Sequence, residues 1–177
     1  MKWTVPNCLT IFRLLMVPIF LYTFLVVKDQ NTALLMFLVA EATDILDGYI
    51  ARKTSSITDF GKAADPLADK LITLAALFSL AHIGYLPSHF FLIYLFLSAF
   101  LLSGSILIIS GKLKRIELKA QFIGKLAAMF TFIGIFLSFI PNTSKPWNII
   151  IMWIAAITST LAFGYYIKRY RKHIKSA

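Results

Sequence analysis

The sequence is poor in cysteine and in charge, and poorest in acids. One cysteine in 177 residues, Cys8, excludes an intrachain disulfide and a zinc site built on thiolates. Charged residues make up 15% of the chain against 59% hydrophobic ones, where an ordinary soluble domain carries roughly 25% and 45–50%. A fold of this size cannot hide so much apolar surface from water, and a chain this apolar is not disordered. There are eight Asp and Glu against 18 Lys and Arg, a formal net charge of +10. In a soluble protein that excess would point to nucleic acid. In this one it points to anionic lipid headgroups, which attract cytoplasmic Lys and Arg, and no nucleic-acid partner is expected. His82, His89 and His173 are too scattered to form a histidine metal site.

What is abundant is apolar sequence in runs of membrane-spanning length. A helix needs about 20 mostly apolar residues to cross the hydrocarbon core. Six stretches qualify: Cys8–Val27, Thr32–Ala51, Ala63–Leu86, Phe90–Ile109, Ile116–Ile140 and Trp147–Ile167. The expectation is an all-α integral membrane protein, a single domain over 1–177, with six transmembrane helices and a short interfacial segment Met1–Val5 before Pro6 and Asn7. Loops are expected at Lys28–Asn31, Ser55–Gly61, Pro87–Ser88, Gly111–Lys114 and Pro141–Pro146. The apolar pattern runs on from the N-terminus without a small-residue cleavage site, so no cleavable signal peptide is expected.

Orientation follows from the basic residues. With both termini cytoplasmic, 16 of the 18 Lys and Arg lie on the cytoplasmic side and only Lys28 and Lys145 lie outside. The reverse orientation would break the positive-inside rule. The basic tail Lys168–Lys175 then rests on anionic membrane lipids. The Ser103-Gly104-Ser105 patch suits close packing of helices or a contact between two copies.

Six of the eight acids fall within Glu41–Asp69. Ionisable groups in a membrane span are costly and point to function. Asp44 and Asp47 are three apart and share a helix face, and Asp65 and Asp69 are four apart and share another. Four converging carboxylates cannot all stay ionised without cations, and Arg52 and Lys70 supply too few. Oxygen-only donors favour Mg²⁺, Mn²⁺ or Ca²⁺, and two ions bridged by carboxylates suit phosphoryl or phosphatidyl transfer. Gly48 and Ala51 let a ligand approach the helix backbone, Gly61 lets the connecting loop turn back, and Pro66 suits the first turn of a helix. A small cation transporter is the reading from another class. It would spread acids along a path through the membrane, and the acids here gather on one side.

The pattern Asp44-x2-Asp47-Gly48-x2-Ala51-Arg52-x8-Gly61-x3-Asp65-x3-Asp69 resembles the signature of the CDP-alcohol phosphotransferase family of membrane enzymes, with all eight fixed positions present in 26 residues. That family moves a substituted phosphate from a CDP-linked donor to an alcohol and releases CMP. The resemblance implies two Mg²⁺ or Mn²⁺ ions, one on Asp44, Asp47 and Asp65 and one on Asp44, Asp65 and Asp69, with Asp69 also the general base. It places Gly48, Ala51, Arg52, Thr58 and Gly61 at the CDP donor.

The opening Pro6-Asn7-Cys8-Leu9-Thr10-Ile11-Phe12-Arg13 and the stretch Asp65–Lys70 resemble bacterial phosphatidylglycerophosphate synthases and the cardiolipin synthases of the same superfamily, which adds Asn7 and Thr10 to the donor site. The fourth span differs from the synthases. It reads Leu101-Leu102-Ser103-Gly104-Ser105-Ile106-Leu107, where those enzymes carry charge. The fifth opens Gly124-Lys125-Leu126-Ala127-Ala128, without their second Lys and Thr. Arg13, Lys125 and Arg115 are the candidates for holding the acceptor. The resemblance implies a homodimeric, multi-pass enzyme of the cell membrane. It would take CDP-diacylglycerol and, as favoured acceptor, glycerol 3-phosphate at the cytoplasmic interface. The alternative acceptor is phosphatidylglycerol, giving cardiolipin.

Overall fold

The computed structural model describes residues 4–54, 59–109, 122–140 and 145–175. They form six α-helices, α1 Val5–Tyr22, α2 Gln30–Thr54, α3 Asp59–His82, α4 Ser88–Ile109, α5 Phe122–Phe139 and α6 Lys145–Lys175, and among the described residues there is no strand. Three segments are long and apolar enough to cross a membrane: Val5–Val27, Phe122–Phe139 and Pro146–Tyr165. The apolar stretch Ser88–Phe100 in α4 is shorter. In α2 and α3 the motif acids interrupt the apolar sequence. Segment Met1–Trp3 of the expected interfacial stretch lies outside the described residues, as do most of the expected loops 55–61, 111–114 and 141–146.

Local chemistry sets the helix ends. Thr4 caps α1, its side chain accepting from the Asn7 N–H at 3.4 Å, and Pro6 sits in the first turn, where a missing N–H costs nothing. At its other end α1 widens into a π-helical turn, Thr23–Val27, closed by Lys28 in a left-handed conformation. Asp29 starts α2 by accepting from the Thr32 N–H at 3.1 Å and the Thr32 hydroxyl at 2.5 Å. Between α3 and α4, Gly84 at φ +77° makes the turn that lets the Tyr85 N–H reach the Leu80 carbonyl at 2.9 Å.

Three details differ from the sequence expectation. Gly61 lies in the first turn of α3 and not in the preceding loop, because the helix begins at Asp59. Pro66 lies inside α3 and not in its first turn. It removes one backbone donor there and leaves the residue-62 carbonyl without its helical partner, beside the motif acids. The basic tail continues α6 to Lys175 as helix, where the span was expected to close at Ile167.

The apolar core lies toward one end of the bundle. Phe20 and Phe24 of the first span, Phe37 of α2 and Phe139 of α5 pack edge to face and stacked, with centroids 5.5–6.4 Å apart, over Leu77 and Leu80 of α3. The acids of α2 and α3 lie toward the other end, past Ala40 and before Ile72. Helix α1 packs extensively on both α2 and α3, which touch each other much less. It is a wedge between the two acid-bearing helices, and the Phe20–Phe24 end of the wedge is locked in the core. α5 and α6 form the other tight pair, with Gly134 so close to Met152 that a Cβ there would lie 2.4 Å from its sulfur.

Candidate active site

The wedge explains the site. Residues three apart on a helix share a face, so Thr10 and Arg13 of α1 look into the same seam between α2 and α3. Both are fully buried. Arg13 donates from Nη1 to Asp44 Oδ1 at 2.6 Å and from Nη2 to Asp47 Oδ2. Thr10 donates its hydroxyl to Asp65 Oδ1 and also lies 3.0 Å from the Pro6 carbonyl. Asp69 accepts from Lys70 Nζ at 2.7 Å through Oδ2. The four motif aspartates therefore face one polar seam, each with a positive or hydroxylic partner from this chain.

The charges do not balance. Asp44, Asp65 and Asp69 repel one another across the seam, and Asp47 and Glu41 join them. Five acids stand against Arg13 and Lys70 among the described side chains. No three acidic, histidine or cysteine side chains among the described residues are gathered into an ion-holding cluster. Asp44 and Asp47 are instead turned toward the guanidinium. The donor set nevertheless suits a hard divalent cation, with oxygen atoms only and negative charge in excess.

Two of the residues proposed from sequence take different surroundings. Arg13, expected at the acceptor, sits on the first two motif aspartates, with its buried Nε lacking a partner among the described residues. Lys125, also expected there, is exposed near the start of α5. Asn7 is buried one turn before Thr10, and Gly48 is half-buried on α2. Ala51 and Arg52 lie in the last turns of α2 and Gly61 in α3, but their side-chain surroundings are outside the described residues. Thr58 and Arg115 are outside them altogether, as are the side chains of Ser103, Gly104 and Ser105.

The structure adds two groups to the motif. Glu41 lies one turn before Asp44 and within electrostatic reach of Asp69. Its presence among the acids was legible, but its spacing matches no fixed motif position. Tyr94 of α4 hydrogen-bonds the side chains of Lys70 and Thr73 beside Asp69. A tyrosine 25 residues beyond the motif, in an otherwise apolar helix, gives no local signal.

Apolar helices of spanning length, with an acid-rich polar seam at one end of the bundle, define a helical membrane protein built around a charged site. The family follows from comparison with known proteins. The family model for CDP-alcohol phosphatidyltransferase matches residues 3–161, and the chain belongs to that family. A curated relative from Rickettsia bellii, named CDP-diacylglycerol–glycerol-3-phosphate 3-phosphatidyltransferase, is 32% identical over 182 residues, 95% of this chain and 96% of its own. A protein of the same name from Bacillus subtilis is 27% identical over 194 residues, 99% of each chain. The one from Haemophilus influenzae is 43% identical over 79 residues, 44% of this chain and 43% of its own.

Proposed function

We propose that this protein is an integral-membrane transferase of phospholipid synthesis, moving a phosphatidyl group from CDP-diacylglycerol to glycerol 3-phosphate and releasing CMP. The observation that carries the reading is the convergence of the motif aspartates on one seam, in a chain that matches relatives named for this reaction over nearly their whole length. In the reaction the acceptor hydroxyl oxygen forms a bond to the phosphatidyl phosphorus. The bond from that phosphorus to the CMP oxygen breaks, and the hydroxyl proton goes to a base.

In this reading Asp69 takes that proton, which needs only hydrogen-bond reach to the hydroxyl. Asp44, Asp47, Asp65 and Asp69 hold two divalent ions, Mg²⁺ or Mn²⁺. When bound, these neutralise the negative charge that builds on the diphosphate as CMP leaves. Asn7, Thr10, Gly48, Ala51, Arg52, Thr58 and Gly61 line the donor site, and the two glycines and the alanine leave room against the helix backbone. Arg13, Lys125 and Arg115 are the cations available to the acceptor phosphate.

The chain is one domain of six spans, with α2, α3 and α4 completing the three most apolar. Both termini are cytoplasmic, since that orientation keeps 16 of the 18 basic residues inside. The site then opens at the cytoplasmic interface, the basic tail rests on anionic lipids, and the working unit is a homodimer. A cation path is disfavoured, because α4, α5 and α6 contain no acid to continue one.

The test is CMP release by purified protein with CDP-diacylglycerol and Mg²⁺ or Mn²⁺, adding one acceptor at a time. Release with glycerol 3-phosphate is expected. Release only with phosphatidylglycerol would make this a cardiolipin synthase, a reading that the uncharged stretch Leu101–Leu107 favours, because a neutral hydroxyl headgroup needs fewer cations. Silence with every acceptor in folded protein would sink the transferase reading.

A further inference from the structure

Asp69 sits in a closed circuit of hydrogen bonds whose far corner is on another helix. Lys70 Nζ donates to Asp69 Oδ2 at 2.7 Å, and the Thr73 hydroxyl donates to the Asp69 backbone carbonyl at 2.9 Å. Tyr94 hydrogen-bonds both Lys70 and Thr73, and its ring centroid lies 5.8 Å from Lys70 Nζ. The directions are fixed by the proton count. An ammonium can only donate, so Tyr94 Oη accepts from Lys70. The single Thr73 proton is committed to the Asp69 carbonyl, so the Tyr94 hydroxyl donates to Thr73 Oγ1. From the Asp69 carboxylate the circuit runs through Lys70, Tyr94 and Thr73 back to the Asp69 main chain.

We propose that Tyr94 is a positioning residue for Asp69, acting through Lys70. This rests on Asp69 being the base and an ion ligand. An ammonium beside a carboxylate competes with anything else that needs that carboxylate. Tyr94 gives Lys70 a second acceptor and anchors it to α4, so Lys70 engages Oδ2 and leaves Oδ1 for the acceptor hydroxyl or an ion. Without the phenol oxygen, Lys70 turns its donors onto Asp69, and Thr73 loses the partner that orients it. Nothing in this role requires Tyr94 to touch the substrate.

The experiment is Tyr94→Phe in wild-type and Lys70→Met backgrounds, read by steady-state CMP release and, separately, by Mn²⁺ binding followed by electron paramagnetic resonance. Tyr94→Phe keeps the ring and removes only the oxygen. It is expected to lower kcat about fivefold, the scale of one lost neutral hydrogen bond, with KM for CDP-diacylglycerol within about twofold, and to weaken Mn²⁺ binding by a similar factor. In the Lys70→Met background both effects should vanish, because the group through which Tyr94 acts is gone. Thr73→Val, which cuts the circuit one link further on, should reproduce the kcat loss and covers the case in which Tyr94→Phe fails to fold. Unchanged kcat and unchanged Mn²⁺ affinity in Tyr94→Phe would overturn the proposal, as would equal losses in both backgrounds. The Mn²⁺ readout does not depend on turnover, so a wild-type protein silent with every acceptor would count against the transferase reading while this inference is still decided.

Discussion

Replacing Arg13 with glutamine should destabilise the ion-free protein strongly and the ion-loaded protein weakly. The guanidinium is 1% exposed and pairs with two carboxylates of different burial, Asp47 at 5% and Asp44 at 41%. Removing one partner of a buried ion pair leaves an uncompensated charge and costs about 3–5 kcal/mol. A solvent-exposed pair is worth about 0–1 kcal/mol. Asp47 therefore dominates, and the expected loss is about 3–4 kcal/mol, the Asp44 pair adding little to it. In a chain of this length that is about 10 °C in Tm. If divalent ions take Asp44 and Asp47 when they bind, they replace the lost positive charge, and the loss in saturating Mn²⁺ should shrink to about 1 kcal/mol, the scale of lost packing for a long side chain. The assay is thermal unfolding of wild type and Arg13→Gln in one detergent, with EDTA and with Mn²⁺. No loss in EDTA would show that Arg13 is not the counter-ion of this pair. An equal loss in both conditions would show that the guanidinium and the ion do not exchange.

Asp69→Asn should abolish CMP release while leaving Tm within a few degrees of wild type, and full turnover in that variant would remove Asp69 as the base. Thr10→Val keeps the side-chain shape but takes the hydroxyl from Asp65. It should lower Tm in EDTA by the equivalent of about 1–3 kcal/mol, the cost of a buried acceptor left unmet, and an unchanged Tm would refute the contact. Gly134→Ala puts a Cβ 2.4 Å from Met152 Sδ. Overpacking costs about 1–3 kcal/mol and the gain in helix propensity returns about 1 kcal/mol, so a modest net loss is expected, measured as a fall in Tm. The Thr32 hydroxyl and N–H hold the Asp29 carboxyl below its ordinary value of 3.8. A lowered value stabilises the fold above pH 3.8 and is lost as pH falls through the folded value. Asp29→Ala should therefore lower Tm at neutral pH and not at pH 2.

The helices and the acid end of the bundle were legible because each left a signal in few residues. Apolar runs of spanning length marked the helices, and a concentration of acids between Glu41 and Asp69 marked the polar end. The partners of those acids were not legible. Arg13 and Asp47 are 34 residues apart, and only the packing of α1 between α2 and α3 brings them together. The same holds for Tyr94, whose neighbours in sequence are all apolar and whose value lies in one oxygen reaching Lys70. Helix boundaries near the motif were misread for a local reason. Glycine and proline are ordinary loop signals, yet Gly61 opens α3 and Pro66 is carried within it, where a bundle of neighbouring helices can compensate a lost backbone bond.

The wedge arrangement gives α1 a part in the chemistry that no fixed motif position assigns to it. Its Phe20–Phe24 end is held by aromatic packing against α5, while its Thr10–Arg13 face bonds to acids of both α2 and α3. Any cation that takes Asp44 and Asp47 from Arg13, or Asp65 from Thr10, loosens the polar half of α1 and leaves the apolar half fixed. The displaced guanidinium cannot travel far, because the core anchors the helix less than two turns away. It stays beside the ions as a positive group with donors to spare, including the Nε that has no partner among the described residues. A phosphate oxygen is a fitting acceptor for such donors. The acceptor role inferred for Arg13 from sequence and its place on the aspartates are thus compatible as two positions of one side chain, one before the ions bind and one after.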